Sequence, residues 1–211
     1  MIKHPVSVAG ILLALFATAG TALVAVTNDL TAEKIAANER EALLQSLTAL
    51  VPADTIDNDI VTDTRVVSQK DLLGGDQTLV YLGRKQGKPV AAVFSSMVPN
   101  GYSGPIKMLV AVKVDGTLGG VRVVSHKETP GLGDKVEENR SDWIFSFAGK
   151  SLSNPSMTGW KVKKDGGQFD QFTGATITPR AVVGGVKNTL VYFKEHGKSL
   201  FLKPEKAAKD E

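Results

Sequence analysis

The sequence predicts an α+β domain carried on an N-terminal membrane tether. Three observations lead there: an uncharged apolar run close to the N-terminus, five short valine-rich segments separated by turn residues, and one long amphipathic segment near the C-terminus. The chain has 211 residues and 42% hydrophobic content, which suits one moderate domain with a core and an appendage. Its formal net charge of +3 leaves no electrostatic footprint for nucleic-acid binding.

The first element follows a short N-terminus, residues 1–7, that carries Lys3. From Val8 to Val26 there is no charge, and most residues are apolar. As a helix these nineteen residues span about 28 Å, close to the hydrocarbon thickness of a bilayer. Residues 8–27 therefore read as a transmembrane helix. Lys3 precedes it and Asp29 and Glu33 follow it, so the positive-inside bias puts the N-terminus in the cytoplasm and exports the rest, to the periplasm of a bacterial inner membrane. The rival reading is a cleaved signal peptide. Ala17–Ala19 (ATA) resembles a cleavage site but leaves a further apolar run behind it, which favours the uncleaved anchor. In either case the chain beyond about residue 27 is exported. The anchor contains no charged residue, so it offers no ion path of its own.

Residues 28–52 predict a juxtamembrane helix: Ile35, Leu43, Leu44, Leu47 and Leu50 suit one helical face, and Pro52 stops it. Residues 53–202 form the exported domain. "IVTDTRVV", "TLVYLGR", "PVAAVFSS", "IKMLVAVKV" and "GVRVVS" read as strands of a twisted, mostly antiparallel sheet. "SDWIFSFAGK" fits a short helix or a strand equally well, and "GWKVKK" reads as a further strand. "TPRAVVGGVKNTLVYFKEHG" reads as a helix with Thr178 as N-cap, Pro179 at the first helical position and Gly197 as C-terminal cap. Val182, Val183, Val186, Leu190 and Phe193 give it an apolar face. Residues 203–211 form a charged, flexible tail.

The chain has no cysteine, which excludes disulfides, thiol chemistry and cysteine-ligated iron–sulfur clusters within it. His4, His126 and His196 are too dispersed for a zinc site. His126 and Glu128 would share one face of a strand, but nothing nearby supplies a third ligand, so no metal is expected. Redox chemistry would need an organic cofactor.

Three glycine-containing stretches remain. "NGYSGPIKM" holds Tyr102 and Ser103 between two glycines, and a plain tight turn explains it well. "SHKETPGLGDKV" is longer than a hairpin needs and carries a carboxylate, a hydroxyl and an apolar residue, Glu128, Thr129 and Leu132, a mix suited to a flat ligand with polar edges. "DQFTGATITPR" places Thr173, Gly174, Ala175 and Thr176 on the turn entering the last helix, where backbone N–H groups and the helix dipole favour an anion such as a phosphate. Caps and turns of this composition are also common. The spacing fits neither a P-loop nor a dinucleotide fingerprint.

"DQFTGAT" resembles the D-x-x-(S/T)-G-A-T flavinylation motif of FMN-binding subunits in Rnf-type complexes and sodium-translocating NADH:quinone reductases. The resemblance implies FMN joined by a phosphoester to Thr176, with Asp170, Thr173, Gly174 and Ala175 completing the recognition motif. "SHKETPGLG" resembles a second family motif beside the isoalloxazine ring, which implies roles there for Glu128, Thr129 and Leu132. "GYSGPI" resembles a third, which makes Tyr102 and Ser103 further candidates, and Gly131 of the second motif is another. The order of anchor, exported domain and motifs covers most of the chain and is most similar to the G subunit of the Rnf complex, called Rsx in some bacteria; the quinone-reductase C subunit is similar but usually longer. Thr173 stands where serine is common. The resemblance implies an electron-carrier subunit, partner subunits that move the ion, a separate magnesium-dependent flavin transferase using FAD, and, in the Rsx setting, help in keeping a redox-sensing regulator reduced. The alternative class is a non-redox exported binding module.

Overall fold

The computed structural model describes residues 5–202. Lys3 and the expected tail at 203–211 lie outside the described residues. The chain divides into two compact units, 1–45 and 46–211. The first consists of most of helix α1 (Pro5–Leu50), which is long and apolar enough to cross a membrane. Its apolar side chains, among them Leu13, Phe16, Leu23 and Val24, are exposed. In water, so continuous an apolar surface would be unfavourable; in lipid it needs no protein cover. The apolar run and the polar segment behind it belong to one continuous helix.

The second unit is built on a five-stranded antiparallel sheet in the order β1-β2-β3-β4-β5. The strands are β1 (Thr64–Val67), β2 (Thr78–Lys85), β3 (Lys88–Val98), β4 (Ile106–Lys113) and β5 (Leu118–Ser125). A single-turn helix, α2 (Lys70–Leu73), joins β1 to β2. Each valine-rich segment of the sequence supplies one strand. The β2–β3 hairpin closes through Gln86 and Gly87, both with positive φ, the backbone that a two-residue hairpin turn demands. The central strands are buried on both faces. Val80, Leu82, Phe94, Met108 and Val110 belong to the main core, where α3 (Ile177–Leu200) supplies Val182, Val183, Val186 and Leu190. On the opposite face Tyr81, Val93, Leu109 and Ala111 are also buried. There the end of α1 and the chain after it lie against the sheet: a Cβ added to Gly119 would sit 2.9 Å from the Leu50 carbonyl, and one added to Gly83 would meet Ile56 at 3.0 Å.

Between β5 and α3 the chain forms short 3-10 turns around an aromatic cluster. Asp142–Phe147 is one such turn, capped by Ser141 Oγ, which accepts from the Trp143 N–H at 3.2 Å. "GWKVKK" is not a strand. Met157–Gly159 and Lys163–Asp165 are 3-10 turns, and Val162 makes only an isolated bridge to Phe169. The chain doubles back on itself here, with the Phe169 N–H and Lys161 carbonyl paired at 3.2 Å. Trp160 and Val162 are thereby turned into the core. Phe147 stacks on Phe169 at 4.7 Å between centroids, and Trp143 meets Phe147 and Phe172 edge-on at 5.2 and 5.1 Å.

The expected caps of the last helix are also displaced. α3 begins at Ile177 with Thr176 in the N-cap position, and it runs through Gly197 to Leu200. Thr178 and Pro179 lie inside the first turn. Gly197 is buried against the Phe193 ring, which its missing side chain admits.

Candidate functional site

Strand order brings the motif loops together. β3 ends at Val98 opposite Ile106 of β4, and Lys107 of β4 pairs with Ser125, the last residue of β5. The loop 99–105 and the segment after 125 therefore leave the same end of the sheet. α3 starts at that end as well, since a Cβ on Gly185 would run into Val98 and Met108.

Glu128 joins the three segments. Its side chain is buried, only 4% exposed. Oε1 accepts the Ser103 N–H at 3.0 Å, and Oε2 accepts the hydroxyl of Thr178, which is fully buried. The Glu128 N–H donates to His126 Nδ1 at 2.9 Å, and His126 Nε2 lies 2.6 Å from Glu137 Oε1. His126 and Glu128 thus direct their polar atoms to each other and to protein partners. Among the described residues no group of three or more His, Asp or Glu side chains is placed to hold a metal.

Two glycines make this convergence possible. A Cβ on Gly133 would sit 2.9 Å from Glu128 Cβ, Glu128 Oε2 and Thr178 Oγ1. Gly174 has φ +82°, a conformation other residues rarely adopt, and a Cβ there would approach Leu132 Cδ2 to 3.3 Å. The second motif loop therefore touches the threonine turn twice, once through Glu128 and once through Leu132.

The threonine turn faces outward. Thr173 and Gly174 are exposed, and Ala175 and Thr176 are half-buried. The Ala175 N–H bonds back to the Phe172 carbonyl at 3.2 Å and closes the turn. Thr176 makes no side-chain capping bond. The N–H groups that open α3 have no carbonyl within the helix to pair with, so an anion next to Thr176 would be stabilised. Asp170 is exposed and paired with Lys163 at 2.6 Å, and its carbonyl accepts the Trp143 indole N–H at 2.8 Å. Arg180 grips Asp165 through two bonds of 2.5 and 2.6 Å, which hold the Asp165 carboxyl below the usual carboxylate range. Thr129, Gly131 and Tyr102 are exposed on their loops, and the exposed Leu132 and Ile177 put apolar surface beside the turn.

A much larger cleft, about 990 Å³, lies elsewhere. It is bordered by Arg84, Pro89 and Val114 on the hairpin ends and by Phe193, Lys198 and Phe201 near the end of α3, and no motif residue lines it. The motif segments instead meet through Glu128 and through Leu132 at Gly174, which makes the turn at Thr176 the candidate site.

Comparison with known proteins assigns the chain. Residues 101–191 match the FMN-binding domain family, and residues 1–50 match the RnfG N-terminal region. The G subunit of the ion-translocating oxidoreductase complex of Vibrio atlanticus is 47% identical over 92% of this chain and 93% of that protein. The same protein of Shewanella baltica is 44% identical over 96% of each chain. The chain belongs to the family of G subunits of ion-translocating oxidoreductase complexes. Among solved structures, the C subunit of the Na(+)-translocating NADH-quinone reductase from Parabacteroides distasonis matches at a TM-score of 0.45 and 23% identity, covering 70% of each chain. The FMN-binding domain match takes in the first two motif loops and the threonine turn; the likeness to the G subunits extends over the anchor as well.

Trp143 and the Asp165–Arg180 pair are neighbours of the site that the sequence did not point out, and Thr178, read there as a cap, is a buried partner of Glu128 instead; each works through a partner distant in sequence.

Proposed function

We propose that the chain is a membrane-anchored electron carrier of an ion-translocating oxidoreductase complex, with FMN attached by a phosphoester to Thr176. The observation that carries this is the half-buried Thr176 at the N-cap of α3, its side chain unused for capping, in a turn that Gly174 opens and Leu132 of the second motif loop borders. The chain's residues fit the group. The helix start favours a phosphate, Gly174 leaves the backbone open, and Leu132, Ile177 and Tyr102 offer exposed apolar surface for a ring system. Thr129 and the Asp170–Lys163 pair supply polar edges. FMN supplies one- and two-electron chemistry at such a site, while the protein contributes attachment, orientation and tuning.

Attachment forms a bond from Thr176 Oγ to the FMN phosphorus. With FAD as donor, the diphosphate bond breaks, AMP leaves, and the hydroxyl proton passes to a base. No carboxylate or histidine of this chain lies in hydrogen-bond contact with Thr176 among the described residues, which agrees with a separate magnesium-dependent flavin transferase supplying that base. The domain is periplasmic in this reading, with α1 as its tether and ion movement left to partner subunits. Reduction of a redox-sensing regulator is one output such a carrier would serve.

The test is the full chain co-expressed with a flavin transferase, denatured, and examined for in-gel flavin fluorescence. Wild type and Thr173→Ala are expected to fluoresce, and Thr176→Ala to be dark. A dark wild-type chain under those conditions refutes the proposal and favours a non-redox binding module.

A further inference from the structure

We infer that Glu128 and Thr178 are positioning residues that lock the Thr176 turn to the other two motif loops and so set the orientation and reduction potential of a flavin held there. This rests on the FMN reading above. The geometry argues for it in three ways. First, Glu128 is turned inward: both carboxylate oxygens accept hydrogen bonds from other motif segments, at Ser103 and Thr178, and His126 holds its backbone. Each of its oxygens thus has a protein donor from a different motif segment. Second, Thr178 stands two residues beyond Thr176. At about 100° of helical rotation per residue the two side chains point roughly 200° apart, one outward and one into the core. Fixing Thr178 therefore fixes the direction in which Thr176 presents its oxygen. Third, the loop that carries Glu128 also carries Leu132, which lies against Gly174. Movement of Glu128 relative to Thr178 would carry Leu132 across the surface beside the attachment turn.

A purely adhesive role is a poor explanation. An apolar pair of the same volume would hold two loops together at least as well as a buried carboxylate. Two directed hydrogen bonds, by contrast, define a register between the loops, and displacements of about 1 Å matter to a reacting group.

Glu128→Gln, Thr178→Val and Thr178→Ser test this in the full chain. The glutamine keeps the shape of Glu128 but turns an amide NH2 toward one of the two donors. The valine removes the hydroxyl donor at constant volume, and the serine restores it. The readouts are the flavin midpoint potential by spectroelectrochemical titration, flavin fluorescence anisotropy, and hydrogen exchange of residues 101–104 and 171–177. We expect Thr178→Val and Glu128→Gln to shift the potential, lower the anisotropy and speed exchange in both segments, each at least several-fold in exchange rate. Thr178→Ser should keep wild-type values in all three. Wild-type potential and anisotropy in flavin-loaded Thr178→Val and Glu128→Gln would overturn the inference and leave the FMN reading standing. Coupled exchange in a wild-type chain that carries no flavin would refute the FMN reading while the lock itself stands. Should Thr178→Val fail to fold, Glu128→Gln against Thr178→Ser carries the same contrast.

Discussion

Gly133→Ala isolates the steric side of the Glu128 junction. The position does not have a positive φ, so alanine brings no backbone strain, and the whole effect comes from one methyl group. That methyl would sit 2.9 Å from Glu128 Cβ, Glu128 Oε2 and Thr178 Oγ1, whereas ordinary contact begins at 3.4 Å. The difference, 3.4 − 2.9 = 0.5 Å, is demanded of three atoms at once. Gly133, Glu128 and Thr178 are all buried, and the two side chains are held by hydrogen bonds, so none can swing aside freely. Overpacking of this kind costs about 1–3 kcal/mol. For a unit of this size each kcal/mol lowers the melting temperature by about 2–4 °C, which gives a loss of roughly 2–12 °C. The assay is thermal unfolding of the full chain in detergent, followed by near-ultraviolet circular dichroism. Gly131→Ala is a poor control because Gly131 has φ +78°, but Gly184→Ala is a good one, since a Cβ there meets nothing within 4 Å. A melting temperature for Gly133→Ala equal to that of wild type or above it would show that the three loops are not closed on one another as described.

Two further outcomes follow from the structure. Phe147→Ala removes the ring between Trp143 and Phe169 and is expected to cost about 3–5 kcal/mol, with loss of the near-ultraviolet tryptophan signal; chemical denaturation measures both. Hydrogen bonding to Arg180 lowers the Asp165 pKa, so the pair's contribution is complete above the unfolded value, about 3.9, and is lost as pH falls through the folded value. Hydrogen-exchange protection of residues 161–170, taken relative to the intrinsic rate at each pH, should therefore fall in acid below about pH 4 in wild type and lose that acid dependence in Asp165→Asn; the pair is largely solvent-exposed, so the effect on global stability is small.

The strands were legible because each carries its signal locally: alternating or continuous valine and alanine, bounded by Gln86–Gly87, Asp115–Gly116 or Asn100–Gly101. The last helix was legible from its apolar face, but not its first turn. Thr178 followed by proline has the composition of a cap, and composition does not register that Glu128, fifty residues earlier, accepts the Thr178 hydroxyl in the core. "GWKVKK" has strand-like alternation, yet Trp160 and Val162 find their burial among aromatic rings brought together by distant turns, and the chain folds back before a ladder can form. Family resemblance picked out the three motifs; only the sheet topology explains why they meet, since β3, β4 and β5 deliver two of them to the end where α3 begins.

The division of labour among the threonines follows from this placement. Thr173 lies in the exposed turn, Thr176 occupies the N-cap with its hydroxyl not used for capping, and Thr178 is buried on Glu128. A group attached at the start of a 24-residue helix packed along the sheet inherits the rigidity of that helix, which an equivalent threonine on a free loop would lack. The helix would otherwise be weakened by leaving its N-cap side chain unused, at about 1 kcal/mol. The buried Thr178–Glu128 bond supplies an anchor one half-turn further on, so the outward hydroxyl is left available without letting the helix start fray. The requirement is specific: a serine or threonine at 178 keeps Thr176 presented, and a capping side chain at 176 that bonded its own helix would not be available for attachment.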